Sequence, residues 1–332
     1  MRAGADPWGG NVLAEVEAWL DKRTSRAQDW DARELAAAKG QQRVTVVLPA
    51  RNEAATVGSI VASIRTALCE EVALVDEIVV IDSRSSDDTA QVARGAGATV
   101  YHQDAIRPDL AGGEGKGEAL WKSLFVATGD ILVFVDADLL SFTPSYVTGL
   151  LGPLISDDTV AYVKACYDRP LKGTPGQTFN GGRVTELVAR PLLNQYWPRL
   201  AGFVQPLSGE YAGRAHVLRG LPFVSHYGVE LGLLVDLVEQ YGLDAMAQVD
   251  LGRREHTNQT TPDLGVMAAQ IQHTARLRLV RSGRLVEPQG EAATTLVQYV
   301  RSGAGEGDYA PRPRETAITE RPPADTLEPV LV

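Results

Sequence analysis

Two aspartates with one residue between them, Asp136 and Asp138, close the apolar run Ile131-Leu132-Val133-Phe134-Val135 in the segment GDILVFVDADLLS. Residues two apart on a strand point to the same side, so a strand running through the pair projects both carboxylates together. Like charges so placed repel unless a cation lies beside them, which makes the pair a seat for a dication. The plainer alternative is that one acid caps a following helix and the other is solvated. Other segments carry comparable groups. In PARNEAATVGSI, Pro49 fixes the backbone as an apolar strand ends and Glu53 leads into a helix, where it also fits as a first-turn acid. Lys116 opens a helix after AGGEG. A helix start is already partly positive, so a lysine there makes most sense beside an anion; without one it is an exposed lysine.

A second anion cradle is legible in NGGRVTE. Gly181 and Gly182 let backbone N–H groups come close, Arg183 offers a planar two-pronged donor, and Thr185 places a hydroxyl in a first helical turn. As plain structure this is a loop before a helix, with Arg183 pairing Glu186 three residues on. Glu230 is the most anomalous carboxylate, because Leu234, Leu237, Val238 and Tyr241 follow it on one helical stripe. An acid in line with apolar neighbours sits either at a surface edge or hydrogen-bonded in a pocket. His256, in LGRREHTN, is a lone histidine directly after a strand.

The elements that must position these groups alternate. RVTVVLPA, VDEIVVID, ATVYH and the run at 131–135 are predicted strands; TVGSIVASIRTALCE, DDTAQVARGAG and KGEALWKSLFVAT are predicted helices. Such alternation implies a mostly parallel sheet flanked by helices, with ligands outside the carboxyl ends of the strands. Residues 1–42 read as a helical lead-in, 43–160 as a Rossmann-like nucleotide-binding half, 161–302 as a more helical half, and 303–332 as an extended Pro/Gly-rich tail. In the helical half RVTELVARPLLNQYW is a helix kinked or ended near Pro191, and VAYVKACYDR and AMAQVDLG are strands.

With 332 residues and a net charge of −10, the chain can bury a large α/β core but is a poor partner for nucleic acid or anionic membranes. No apolar run approaches the roughly 20 residues of a membrane span, and the N-terminus lacks the basic-then-apolar order of a signal peptide. Cys69 and Cys166, the two cysteines, read as small core residues in a reducing cytoplasm. Neither G-x-G-x-x-G after the first strand nor G-x-x-x-x-G-K-[ST] occurs, which counts against a dinucleotide dehydrogenase or a P-loop ATPase.

VVLPARNEAATV, VVIDSRSSDDTA and VFVDADL, in this order, resemble the nucleotide-sugar half of a GT-A glycosyltransferase. GKGEALWKSL, NGGRVTELVARPLL, QPLSGEYAGR and YGVELGLLVD are similar to a narrower group, the actinobacterial glucosyl-3-phosphoglycerate synthases and their mannosyl relatives. The match runs from about Arg43 to His256. It implies a retaining transferase that moves glucose or mannose from UDP-glucose, GDP-glucose or GDP-mannose to the 2-hydroxyl of D-3-phosphoglycerate with Mg²⁺ or Mn²⁺, and a homodimer. By the same resemblance Asp138 and His256 are metal ligands, and Pro49, Ala50, Arg51, Glu53, Ser83, Lys116, Asp136 and Ala137 lie by the nucleotide. Tyr227 and Glu230 belong to the sugar pocket, and Gly182, Arg183, Thr185 and Asn258 to the acceptor. The backbone at Leu207 faces the reacting carbon, giving Asp138, Leu207 and Glu230 as the catalytic set. Arg51, Ala55, Ala137 and a shorter glycine run before Arg183 depart from the family pattern, and they bear on the choice of base and sugar. Two rivals stay open: a polyprenyl-phosphate glycosyltransferase, for which no amphipathic membrane-facing segment is found, and a non-catalytic nucleotide-sugar sensor, which leaves the second anion cradle without a reason.

Overall fold

A computed structural model describes residues 13–110, 112–170, 178–179, 182–254, 260–286, 293–301 and 308–328. In chain order the strands are β1 (Thr24–Arg26), β2 (Val44–Ala50), β3 (Glu77–Asp82), β4 (Thr99–His102), β5 (Ile131–Phe134), β6 (Tyr162–Pro170), β7 (Thr178–Phe179), β8 (Tyr211–Arg214), β9 (Phe223–Val224), β10 (Met246–Arg253), β11 (Thr295–Arg301), β12 (Tyr309–Glu315) and β13 (Glu320–Arg321). The α-helices are α1 (Ala14–Arg23), α2 (Ala32–Ala38), α3 (Val57–Ile64), α4 (Thr89–Ala96), α5 (Lys116–Ser123), α6 (Ser145–Ser156), α7 (Arg190–Tyr196), α8 (Ala215–Arg219), α9 (Val229–Gln240) and α10 (Thr261–Arg281).

One sheet, ordered β1-β10-β6-β8-β5-β2-β3-β4 with β7 paired to β6, runs through the molecule. The expected parallel strands β5, β2, β3 and β4 lie together, and β6, β10 and β1 form a second parallel set. Between them β8 runs antiparallel to both β5 and β6. The segment YAGR is too short to announce itself as that junction. Both faces of the sheet are covered, as the unbroken apolar strands require. Val47 and Phe134 face a core built with Trp19, Trp121, Leu234 and Ile271 from α1, α5, α9 and α10. Val46, Leu48 and Val133 face the opposite core with Leu35, Ile60, Ala93 and Leu150 from α2, α3, α4 and α6.

Three local expectations change. The strand at 131–135 ends at Phe134, so Asp136 and Asp138 lie in the turn beyond it, fixed where Thr56 Oγ1 donates to the carbonyl of Ala137 at 2.6 Å. The helix predicted to be kinked or ended near Pro191 instead runs on through it, from a π-turn at Thr185–Ala189 directly into α7. The segment before residue 43 is not helical throughout: β1 forms the sheet's edge beside β10, and Trp19 Nε1 donates to the Met246 carbonyl at 2.8 Å.

The tail is extended, as its composition suggests, but its described part is paired. β12 forms a hairpin with β11, and β13 pairs with β9. Arg321 reaches the side chain of Glu118 on α5 at 2.7 and 2.9 Å, and Trp121 Nε1 donates to the Pro322 carbonyl at 2.8 Å. Arg278 on α10 binds both Asp236 on α9 and Glu320 on β13. Charged residues that look solvated in sequence are therefore counter-ions for a buried acid. Because Glu118 is only 1% exposed, removing its partner strands a carboxylate. Arg321→Ala should lower unfolding stability by about 3 kcal/mol, with Glu118→Gln in the same chain recovering part of the loss; urea denaturation of the two variants checks this.

Candidate active site

The carboxyl ends of β2, β3 and β5 point to one rim, and the chain packs α5, α9, α10 and the start of the 185–189 turn against it. Between these walls lies a cavity of about 560 Å³. Pro49, Ala50, Arg51, Glu53 and Ser83 come to it from the first two strand ends, Asp136, Ala137 and Asp138 from the third, and Lys116 from the start of α5. Gly182, Arg183 and Thr185 line the opposite wall, with Leu207, Tyr227 and Glu230 between. All of the expected site residues that fall within the described structure thus share one cavity. His256 and Asn258 lie outside the described residues, as does Gly181.

The rim is stiffened by its own loops. Asn52, in the left-handed region at φ 59°, accepts from Ser86 N–H at 2.8 Å through its side chain, and its own N–H donates to Ser85 Oγ at 3.0 Å. The Glu53 N–H donates to Thr89 Oγ1 at 2.8 Å. These bonds tie the β2 and β3 ends together and leave the Glu53 carboxylate to face the cavity, where burial and then the nearby Asp138 raise its pKa.

Charge at the centre is organised around Lys116. Its Nζ lies 2.5 Å from Asp136 Oδ1 and 3.3 Å from Glu230 Oε1. Burial alone would depress the ammonium, but the Asp136 and Glu230 carboxylates outweigh it and hold the pKa above the usual lysine range. Burial would likewise raise Asp136; Lys116 and Arg254 prevail and keep it well below the usual carboxylate range. Glu230, 5% exposed in the first turn of α9, lies in the pocket and not at a surface edge, the two places its sequence context left open. The approach is close enough that a Cβ on Gly209 would overlap both the Asp136 carboxylate and the Lys116 ammonium.

Arg254 was not singled out in sequence, and it accounts for the aspartate pair. It is 3% exposed, and its Nη2 lies 3.3 Å from Asp136 Oδ2 and 3.3 Å from Asp138 Oδ1. Nη1 holds the fully buried Glu210 at 2.8 Å and donates to Tyr167 Oη at 2.5 Å. The two aspartates therefore converge on a cation from a turn, where strand alternation would have been the simpler route. The signal for Arg254 was faint: it is the second arginine of RREH at the end of β10.

On the far wall Arg183 Nη1 donates to Thr261 Oγ1 at 3.1 Å, while Glu186 holds Arg190 at 2.8 and 2.9 Å. The pairing of Arg183 with Glu186 that would have made it an ordinary surface residue is pre-empted by Arg190. Thr185 is buried and Arg183 is exposed to the cavity. Leu264, Met267 and Ile271 from α10 add an apolar flank.

The site also fits a divalent cation. Asp138 is half exposed at the rim, with an oxygen-only side chain and acids at Asp136 and Glu53 behind it. Among the described residues no three His, Cys, Asp or Glu side chains gather as a metal cage. A hard cation that keeps waters and shares phosphate oxygens needs only one or two protein carboxylates, so this open donor set suits Mg²⁺ or Mn²⁺ carried with a diphosphate.

The fold and this site define a GT-A glycosyltransferase, and residues 45–204 match the profile described as Glycosyl transferase family 2. Along nearly its whole length the chain is 44% identical to the glucosyl-3-phosphoglycerate synthase of Mycolicibacterium smegmatis, covering 94% of this chain and 98% of that protein. The Petrotoga mobilis synthase is 41% identical over 89% and 90% of the two chains. The crystal structure of mannosyl-3-phosphoglycerate synthase from Rubrobacter xylanophilus superposes with a TM-score of 0.86 at 36% identity, covering 94% of this chain and 99% of that one. The Mycobacterium tuberculosis glucosyl-3-phosphoglycerate synthase, solved in complex with Mn²⁺, UDP-glucose and phosphoglyceric acid, superposes with a TM-score of 0.77 at 41% identity over 90% and 95%. It is also known in complex with Mg²⁺ and UDP. This chain belongs to the glucosyl-3-phosphoglycerate synthase family.

Beneath the site lies a buried lysine that sequence reasoning passed over, although a lone lysine inside the apolar strand VAYVKACY was a visible signal. Lys164 is 1% exposed, its Nζ has no hydrogen-bond partner among the described residues, and it lies 5.0 Å from the centre of the Tyr211 ring. Burial pulls its pKa from 10.5 to about 8. Between those values the unfolded chain binds more protons than the folded one, so stability rises with pH through this window and the ammonium is a liability below it. Lys164→Met should therefore exceed the native chain in stability at pH 7 by roughly 3 kcal/mol, with the gap closing toward pH 10.5. Thermal unfolding across that range checks the sign.

Proposed function

We propose that this chain transfers glucose from UDP-glucose to the 2-hydroxyl of D-3-phosphoglycerate, with retention at the anomeric carbon and dependence on Mg²⁺ or Mn²⁺. The observation that carries the reading is the meeting of two anion cradles in one cavity, Lys116 with Asp138 on one wall and Arg183 with Thr185 on the other. A polyprenyl-phosphate acceptor would need a membrane-facing surface in place of the second cradle, and a sensor would not need that cradle at all. The identities of 41–44% to glucosyl synthases favour glucose and uracil. A cytoplasmic setting suits the two unpaired cysteines.

A divalent cation held by Asp138, with His256 as a further ligand by resemblance, would neutralise the diphosphate and draw charge from the leaving oxygen. Pro49, Ala50, Arg51, Glu53 and Ser83 form the nucleoside end, with Ala137 and Asp136 beside it. Glu230 accepts hydrogen bonds from hexose hydroxyls, with Tyr227 packed alongside. Lys116, held charged by its two carboxylates, stabilises the negative charge that grows on the leaving diphosphate. Arg183 grips the acceptor phosphate bidentately, helped by the Gly182 backbone and the Thr185 hydroxyl. Asn258 extends this cradle by resemblance. Asp136 and Glu230 are both engaged by Lys116, so neither is poised as a covalent nucleophile. The acceptor hydroxyl then attacks on the face the diphosphate leaves, its proton passing to a departing phosphate oxygen, with the Leu207 backbone beside the electron-poor carbon.

The two cradles should fail in different ways. Asp138→Ala should cut kcat by about 1,000-fold, whereas Arg183→Ala should raise the KM for 3-phosphoglycerate by roughly 10- to 100-fold with kcat changed only a few-fold. Steady-state kinetics that find the same kcat defect at unchanged KM in both variants overturn this division. Chelation with EDTA should abolish turnover and added Mg²⁺ or Mn²⁺ restore it. A panel of UDP-glucose, GDP-glucose and GDP-mannose, each with 3-phosphoglycerate, should rank UDP-glucose first by kcat/KM.

A further inference from the structure

Lys164 is kept at a cost in stability, and the mechanism above gives it no task. Its surroundings are fixed by strand register. Tyr162 stands two residues earlier on β6 and so shares its face, and Tyr211 lies directly opposite it on β8. Both tyrosines belong to the core that α9 covers with Leu234 and Leu237. Across β10 its register partner is Gln248, but that amide is spent. It donates to Thr24 Oγ1 and to the Gly202 carbonyl and accepts from Val204 N–H, each at 3.1 Å. Tyr162 Oη and Tyr211 Oη, like Lys164 Nζ, are buried without a hydrogen-bond partner among the described residues.

The charges that act on this lysine belong to the catalytic cluster. Burial draws its pKa down; Glu230 is the carboxylate that most opposes this, ahead of Glu210 and Asp136, while Lys116 adds to the fall. Burial raises both tyrosine hydroxyls, and Glu230 pushes them the same way. The three acids differ in what else holds them. Glu210 has Arg254 at 2.8 Å, and Asp136 has Arg254 at 3.3 Å besides Lys116 at 2.5 Å. Among the described residues Glu230 has one ion-pair partner, Lys116 at 3.3 Å. A diphosphate entering the cavity competes for that same ammonium. Asp136 then keeps its arginine, whereas the buried Glu230 is left with Lys164 to balance it. A buried carboxylate without a cation is costly, and in a medium of low dielectric a nearby charge acts on it without touching it.

We infer that Lys164 is a positioning residue for the donor: it balances the Glu230 carboxylate once Lys116 turns to the diphosphate, and so keeps that carboxylate on the hexose. This deepens the nucleotide-sugar reading of the cavity and rests on it. A double-mutant cycle in the full chain tests it, with Lys164→Met, Glu230→Gln and the pair titrated calorimetrically with UDP-glucose in the presence of Mn²⁺. Lys164→Met should weaken binding about tenfold in the native background and by less than about twofold beside Glu230→Gln. UDP brings the diphosphate without the hexose, so it keeps the cycle measurable where Glu230→Gln no longer holds UDP-glucose, and it should show the same coupling. The KM for UDP-glucose should rise in step and that for 3-phosphoglycerate should hold, while the melting temperature of Lys164→Met at pH 7 does not fall. A loss below about twofold in the native background overturns the assignment. Losses that multiply in the double variant overturn it too, because Lys164 would then be a general positive charge acting on the ligand and not on Glu230. If Lys164→Met melts lower, Lys164→Gln, which is also neutral, decides by the same cycle. Failure of the native chain to use UDP-glucose would defeat the functional reading itself; a native chain that turns over, with the two losses independent, defeats this assignment alone.

Discussion

The Lys116 ammonium, shared between Asp136 at 2.5 Å and Glu230 at 3.3 Å, is the contact on which the rest of the site depends. It joins three elements far apart in sequence: the start of α5, the turn after β5 and the first turn of α9. Without a cation there, two carboxylates would face each other in a cavity built to receive a still more negative ligand. Arg254 completes the arrangement from below by holding Asp136 and Asp138 together and anchoring itself on buried Glu210. Charge complementarity of this sort is strong in a partly buried site because the local dielectric is low, and costly if any one member is lost.

The sheet explains how the members are brought together. Its first parallel set delivers the nucleotide-side residues at strand ends, where open α/β sheets bind ligands. The reversed strand β8 joins that set to the second, so the segment Leu207–Gly209 that precedes it crosses the cavity close to Asp136. Gly209 is glycine because the Asp136 carboxylate and Lys116 ammonium occupy the space a Cβ would take. The glycine just before β8 and the charged groups that face it are two aspects of one packing problem.

Much of this was legible in the chain. Apolar runs bounded by turn residues marked β2, β3, β5, β6 and β10, because burial on both faces leaves little choice of side chain. Glu230 stood out because it broke an otherwise apolar stripe, although that pattern alone left surface edge and pocket both open. What could not be read has a common cause: its meaning lies in partners distant in sequence. Arg254 looks like any arginine until the turn at 136–138 is placed opposite it. The strand β1 is three residues long and recognisable only beside β10, and the YAGR strand only between its two neighbours. Arg321 and Glu320 belong to a stretch whose proline and charge suggest a free tail, yet they neutralise Glu118 and Arg278. Local pattern reports burial well and ion-pair partners poorly.

The attachment of that tail has a bearing on how the enzyme comes into being. Arg321 follows Glu118 by 203 residues, so during synthesis the helix that carries Lys116 emerges from the ribosome long before its final counter-ion does. Until residues 320–321 are made, Glu118 has no arginine to meet it, and β9 lacks the strand that pins it. Domains made vectorially often fold from the amino-terminal end as they appear. Here the nucleotide half can take shape early, and the corner where α5 meets β9 is completed only after β13 has been made.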